Sequence, residues 1–522
     1  MAPTVQLLAS LLLALPLAAA VPASPPTSPP SPSPSSSSST PNGVVSIPLR
    51  RVVGPRPDAV VGARRAAMMA RPWTTAEKAA QKHEAAPSPP RQALVDRNEY
   101  YLADLAIGTP PQPVSLLVDT GGWVTWVNPD CARAVREAEC SALPAYNLSL
   151  SSPPPTAVHD LDQIVYYGDV SMGAALEGYA DVFTWGNATH VRQPFGVANE
   201  TVGVTTGILA LAPDASAGFN SAVSNFSVVA TLAQEGVIAS RVFSLAFGRG
   251  LVAVAQHVGH LVFGGVDRNQ FRGTLVRTPI LPRDDSVDGW RYWLAVTEVR
   301  HNKPGGRNAT AKWTAPAAQR TTTATTTTTT TTVIPSGNAS YMVDSGTTGI
   351  YVPRAAYDAI MLDANLTRNP LRFEGFPDVD CKMADLPGSL SFTFAPVASS
   401  NKSAAANDAN AANAANAANA STPVAPVTID VPYSVLIHPE RNLITNDTSM
   451  CFFGLSSGGP ADDDGDIFPI LGVEFFKAAY AVFDWDNQEV SLAQGASCGS
   501  EPDLVPVSKG PNAVPSVTGN CK

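Results

Sequence analysis

The stretch LLVDTGGWVTW, residues 116–126, and its later counterpart YMVDSGTTGI, residues 341–350, decide how this chain is read. In each, an acid closes a short apolar run and is followed by a small hydroxyl residue and a glycine: Asp119-Thr120-Gly121 and Asp344-Ser345-Gly346. Leu116-Leu117-Val118 and Tyr341-Met342-Val343 read as strands, and each glycine permits a tight turn directly after the acid. One such triplet arises by chance roughly once in every few chains of this size. Two, each entered from a strand, set a pair of carboxylates in matching local structures. The bland alternative is two surface turns with solvated acids.

The surroundings are mostly β. YYLADLAIGTPPQPVSLLVDT, GHLVFGGV, YWLAVTEV and AYAVFDWDNQEVSLA are short β-branched and aromatic runs broken by Gly, Pro and Asn, and long amphipathic helical patterns are scarce. A length of 522 residues exceeds one hydrophobic core, so more than one domain is expected. With 44% hydrophobic and 15% charged residues the chain is compact rather than disordered, and a formal charge of −10 argues against a nucleic-acid partner.

The first residues, MAPTVQLLASLLLALPLAAAVPA, carry an apolar centre of signal-peptide length, with small residues suited to cleavage after Ala20 or Ala23, though no Lys or Arg precedes it. No other apolar run is long enough to span a bilayer, and the C-terminal stretch lacks the hydrophobic segment of a lipid-anchor signal. A secreted, extracellular protein without a stable membrane anchor is the expectation, with vacuolar or cell-wall retention open. Asn-x-Ser/Thr sequons, among them Asn147, Asn187, Asn199, Asn225 and Asn446, fit that route. Spacing pairs the six cysteines as Cys131 with Cys140, Cys381 with Cys451 and Cys498 with Cys521, one choice among those that six cysteines allow. No C-x-x-C occurs and the histidines are scattered, so no metal site and no cofactor is expected.

Residues 24–42 are Pro/Ser-rich, and Arg64-Arg65 is a dibasic pair that a processing protease would recognise. Residues 1–91 hold nine Lys/Arg against Asp58, Glu77 and Glu84, a charge of +6; subtracting this from −10 leaves −16 for the rest. A basic leader on an acidic body docks while the carboxylates are ionised and loses its hold in acid, which suggests a self-inhibiting pro-segment; an ordinary disordered linker is the alternative. The tracts TTTATTTTTTTT (321–332) and NAANAANAANAS (410–421) are low-complexity surface insertions without chemistry.

The order of motifs resembles the pepsin-like aspartic proteases, particularly secreted fungal ones, over roughly residues 97–497. Its carriers are YYLADLAIGTPPQ, the triplet at Asp119 with Trp126 seven residues on, YYGDVSMGAALEGYADV, TGILALAP, GHLVFGGVDRNQFRGTL, the triplet at Asp344, LPGSLSFTF, and FPILGVEFFKAAYAVFDWDNQEVSLA. The resemblance implies an all-β, bilobal acid-protease fold with a pseudo-twofold axis and a cleft between the lobes. It further implies hydrolysis of polypeptide substrates by a water activated between Asp119 and Asp344, a pro-segment acting as intramolecular inhibitor, and a monomer. Thr120, Gly121, Ser345, Gly346 and Thr347 would support the acids. Tyr167, Gly168, Asp169 and Ser171 would form the flap over substrate, with Trp126 and Thr348 in the cleft. Trp126 as plain core and Tyr167 as a cross-strand aromatic remain alternatives.

The boundaries read as signal peptide 1–20, pro-segment 21–93, first lobe 94–278, second lobe 279–498 with insertions near 302–336 and 396–424, and a tail 499–522. Gly122 stands where the family pattern carries a hydroxyl, and Ala210 where it carries a glycine. A catalytically impaired binding protein of the same fold, and a glycosylated structural protein, are the other functional classes.

Overall fold

Alternation in the sequence becomes sidedness in the sheets. In the strand Val427–Pro432, Ile429 and Val431 are buried while Thr428 and Asp430 face outward. In Ala479–Asp484 all six residues are buried. Both faces of that strand are covered: Ala479, Ala481 and Phe483 enter the main core, whereas Tyr480 and Val482 enter a second cluster with Val242, Val266 and Phe271. Each such side chain contributes about 1.5–3 kcal/mol by leaving water.

The computed structural model describes residues 43–54, 95–96, 98–133, 137–167, 172–186, 189–213, 219, 226–248, 257–281, 291–304, 310–314, 340–367, 376–397, 425–442, 450–457, 469–499 and 501–522. The signal-peptide segment, the Pro/Ser-rich stretch, Arg64-Arg65, both low-complexity tracts and the flap residues Gly168, Asp169 and Ser171 lie outside them.

The protein is mainly strands, arranged as the pepsin-like bilobal β fold. A 14-stranded sheet runs from Phe271–Pro279 through Glu489–Gly495, Ala479–Asp484, Val242–Ala246, His257–Phe263 and Val45–Gly54 to Asn98–Ile107 and Gln112–Asp119, then on to Gly207–Ala210, Trp126–Val127, Thr189–Val202 and Met172–Trp185. The second half of the chain builds an eight-stranded sheet whose centre is Trp293–Asn302, Ser340–Val343, Ile470–Leu471 and Ile350–Tyr351. The halves are joined by pairing as well as by packing, because Val242–Ala246 of the first is antiparallel to Ala479–Asp484 of the second.

The doubled triplet corresponds to a doubled topology. Gly207–Ala210 runs parallel to the end of Gln112–Asp119, Ala210 opposite Asp119, and pairs antiparallel to Trp126 on its other side. Ile470–Leu471 likewise runs parallel to Ser340–Val343 and antiparallel to Ile350–Tyr351. In each half an acid ends one strand, a wide loop follows, and a later strand threads between the loop's two arms.

Two segments outside the expected lobes belong to this framework. Val45–Gly54, within the basic leader, lies in the large sheet between Asn98–Ile107 and His257–Phe263, with Ile47 and Leu49 buried. The tail strand Leu504–Pro506 pairs with Gly265–Asp267, and Val507, Ala513 and Val514 fill the second core cluster. Disulfides join Cys131 to Cys140, Cys381 to Cys451 and Cys498 to Cys521, the last fastening the tail. Among the described residues no helix is long and apolar enough to cross a membrane.

Candidate active site

Thr120 and Ser345 bind the two acid loops to each other. The Thr120 hydroxyl donates to the Val343 carbonyl (2.9 Å) and accepts from the Ser345 amide (2.9 Å); the Ser345 hydroxyl donates to the Val118 carbonyl (2.8 Å) and accepts from the Thr120 amide (3.0 Å). Both residues are fully buried, so all four bonds are sheltered from water. Each small hydroxyl reaches the backbone just before the opposing acid, which ties the position of each carboxyl group to that of the other.

The glycines set the approach. A side chain at Gly121 would place its first carbon 2.6 Å from Asp344 Cγ, and one at Gly346 would lie 2.6 Å from Asp119 Cγ. Each acid is therefore seated against the bare backbone of the other loop. Asp119 Oδ1 accepts from the amides of Gly121 (2.8 Å) and Gly122 (2.9 Å). Asp344 Oδ1 accepts from the Gly346 amide (2.9 Å), and Oδ2 from the Thr347 hydroxyl (2.5 Å). Thr348 follows, half-buried.

Both acids are buried, each against the glycine backbone of the other's loop. Burial raises the proton affinity of Asp119 well above the ordinary carboxylate range; the neighbouring Asp344 carboxyl acts in the same direction, partly offset by the Gly121 and Gly122 amides.

The asymmetry lies at Gly122. Asp344 has a hydroxyl donor on its outer oxygen, whereas among the described residues Asp119 has none, and a first side-chain carbon at Gly122 would meet Asp119 Oδ2 at 2.6 Å. Ala210, at the other departure from the family pattern, is buried and its amide is satisfied by the Thr125 hydroxyl (3.1 Å).

Tyr167 ends the strand Gln163–Tyr167, which pairs with Met172–Trp185 as a hairpin, Tyr167 opposite Met172. Its hydroxyl accepts from Trp126 Nε1 at 2.6 Å. Burial raises its proton affinity, and the Asp119 charge adds to this, so the phenol stays neutral. Trp126 is both core and anchor: its ring packs among Val124, Leu161, Val165 and Ile208 while its one polar atom points to Tyr167. Among the described residues no cluster of three or more His, Cys, Asp or Glu side chains offers a metal site.

One acidic residue near the site escaped sequence reading. GVEFF reads as core, and Glu474 within it is fully buried, yet its carboxylate reaches the Gly349 amide at the end of the second acid loop. Its only sequence signal is a lone acid in an apolar run.

Comparison with known proteins agrees with this geometry. The family described as eukaryotic aspartyl protease matches residues 100–495. The "Probable aspartic-type endopeptidase OPSB" of Arthroderma benhamiae is 26% identical over 437 residues, covering 82% of this chain and 75% of that protein. Candidapepsin of Candida tropicalis is 26% identical over 427 residues, covering 80% and 84%. "Secreted aspartic protease 8" of Candida albicans is 23% identical over 409 residues, covering 77% of each. The solved aspartic proteinase of Irpex lacteus shares the fold at a TM-score of 0.51 and 19% identity, covering 77% of this chain and 96% of that one. With its two Asp-Thr/Ser-Gly loops bonded face to face and three quarters of its length matched, the chain belongs to the eukaryotic aspartyl protease family.

Proposed function

We propose that this protein is a secreted aspartic endopeptidase, made as a precursor and active in acid after its pro-segment leaves. The observation that carries the reading is the reciprocal bonding of the two acid loops through Thr120 and Ser345, which seats each carboxyl against the other loop's glycine while its own loop's amides hold it. With one proton between them, the ionised member takes a proton from a water seated between the two, and the resulting oxygen attacks the scissile carbonyl carbon. The protonated member donates to the carbonyl oxygen, giving a tetrahedral gem-diol, and proton return to the leaving nitrogen breaks the C–N bond. No acyl-enzyme forms.

Tyr167, held by Trp126, closes the flap hairpin over bound peptide, together with Gly168, Asp169 and Ser171. Thr347 supports Asp344 from its outer side. Gly122 lacks the usual hydroxyl, but its own amide and that of Gly121 leave Asp119 two donors, so the pair stays competent. In the precursor, residues 1–20 are the signal peptide and 21–93 the pro-segment. The strand Val45–Gly54 would leave with it, and the body 94–498, with its tail 499–522, would act as a monomer. The Arg50 guanidinium donates to both Asp104 oxygens (3.1 and 2.9 Å) and to Ser115 (3.0 Å), contacts that weaken once acid protonates Asp104. Asn147 and Asn199 are exposed, as glycosylation requires.

The test is to hold the exported protein at pH 3–5, sequence its new N-terminus, and assay a denatured protein substrate with and without a statine-type inhibitor. Inhibitable cleavage with a start between residues 55 and 100 supports the reading. An Asp119→Asn variant should fold, bind the inhibitor weakly and not cut; cleavage by that variant would sink it.

A further inference from the structure

Behind the second acid loop lies a carboxylate that the hydrolytic chemistry does not use. Glu474 sits in the short helix Val473–Phe476 and is fully buried. Its Oε2 accepts from the Gly349 amide at 2.5 Å, and its Oε1 lies 3.1 Å from His438 Nε2. The imidazole itself is tilted against the Phe452 ring. A buried carboxylate is costly unless donors meet it, so its place in an apolar run calls for something that it holds.

What it holds is the far end of the Asp344 loop. Gly349 has φ +90°, a conformation suited to glycine, and a side chain there would strike the Phe376 ring at 2.6 Å. The start of the same helix grips the loop twice more: the Gly472 amide donates to the Gly349 carbonyl (3.1 Å) and the Val473 amide to the Thr347 carbonyl (2.8 Å). Thr347 in turn donates its hydroxyl to Asp344. A short path therefore runs from Glu474 through Gly349 and Thr347 to the acid. Among the described residues the other half has no matching acid. Aligning the threading strands by their register sets Ala212 opposite Glu474, and there the Ala212 amide reaches the Gly122 carbonyl (2.9 Å).

We propose that Glu474, backed by His438, is a positioning residue for hydrolysis. It fixes the Gly349 amide and thereby aims the Thr347 hydroxyl at Asp344. This compensates within one loop for the hydroxyl that Gly122 denies the other, and it rests on the endopeptidase reading above.

The experiment measures kcat and KM for the activated full-length protein on a peptide substrate, with competent sites counted by titration with a tight statine-type inhibitor. Glu474→Leu should lower kcat per titrated site about tenfold or more with KM within about twofold. Glu474→Gln, whose carbonyl still accepts from Gly349, should restore kcat to within about threefold, and His438→Leu should fall between the two. If the role is structural only, Glu474→Leu lowers thermal stability while kcat per site stays at the parent value, and the proposal is overturned. Should Glu474→Leu yield no titratable sites, His438→Leu decides: lowered kcat per site supports the proposal and an unchanged value overturns it. A parent protein with no inhibitor-sensitive cleavage overturns the endopeptidase reading itself, whereas an active parent with indifferent variants overturns only this inference.

Discussion

At the residue scale the site is governed by where single atoms are missing or present. Gly122 leaves Asp119 with two amide donors on one oxygen and, among the described residues, no hydroxyl donor on the other. Gly122→Ser brings a carbon to within 2.6 Å of that oxygen, so the carboxyl must turn before the new hydroxyl can donate to it. Once it does, the ionised form of Asp119 gains a donor and its proton affinity falls. The neutral-side limb of kcat/KM against pH should move down by about one unit, since a charge-assisted hydrogen bond is worth about 1.5–3 kcal/mol. A limb that stays put or rises would contradict the asymmetry assigned here. Trp126 offers a second test, because one atom, Nε1, links it to Tyr167. Trp126→Phe keeps most of the buried ring but drops that donor; kcat/KM should fall about three- to tenfold in inhibitor-titrated enzyme, with stability lowered by about 1 kcal/mol or more in urea unfolding.

At the element scale the acids are positioned by strands that thread between loop arms, and one further strand is borrowed from the leader. Val45–Gly54 is held by ladder bonds along both edges, and by Arg50 on Asp104, a partly exposed pair worth about 0.2–1 kcal/mol. On the precursor reading proposed above, an Arg50→Ala precursor should shed its pro-segment about two- to fivefold faster in acid, read by N-terminal sequencing over time. A time course equal to the parent's would remove Arg50 from the release step. Much of this architecture is legible in the sequence, because Leu116–Val118, Tyr341–Val343 and the glycines after each acid carry strand and turn signals within a few residues. The pleat of Val45–Gly54 is also written locally, Val45, Ile47 and Leu49 alternating with Ser46, Pro48 and Arg50, yet its place in the central sheet depends on partners more than 200 residues away at Leu261 and Phe263. The tail escaped for the same reason: Leu504–Pro506 is too short to show a period, and its burial comes from Gly265–Asp267 and the Cys498–Cys521 bond. Glu474 was illegible as a functional residue because its partners, Gly349 and His438, are brought to it only by the fold.

At the scale of the whole molecule, the same burial that readies the acids makes stability depend on pH. Asp119 in the folded protein holds its proton to higher pH than an unfolded aspartate, whose ordinary value is about 3.9. A raised folded value contributes stability that is complete below the unfolded value and is lost as pH rises toward the folded one. Other groups pull the opposite way: Asp162, held low by the Gly178 amide and His159, and Asp503, held low by Asn520 and Arg268, lose their contribution as pH falls. His301, kept neutral by burial against the pull of Asp363, also disfavours the fold in acid, where the unfolded imidazole takes up a proton. The sum of these terms does not isolate the acid pair, but a difference between two proteins does. Asp119→Asn removes one titration and leaves the rest, so the melting temperatures of parent and variant should lie close together near pH 3.5 and separate as pH rises to 7, the variant becoming relatively more stable by a few degrees. At about 1.4 kcal/mol for each pH unit over which the folded acid keeps a proton that the unfolded one has lost, and roughly 1 °C per kcal/mol for a protein of this size, a gap of a few degrees follows. A gap that stays constant across the range would mean that Asp119 releases its proton like a solvated acid, and the shared-proton pair would have to be abandoned.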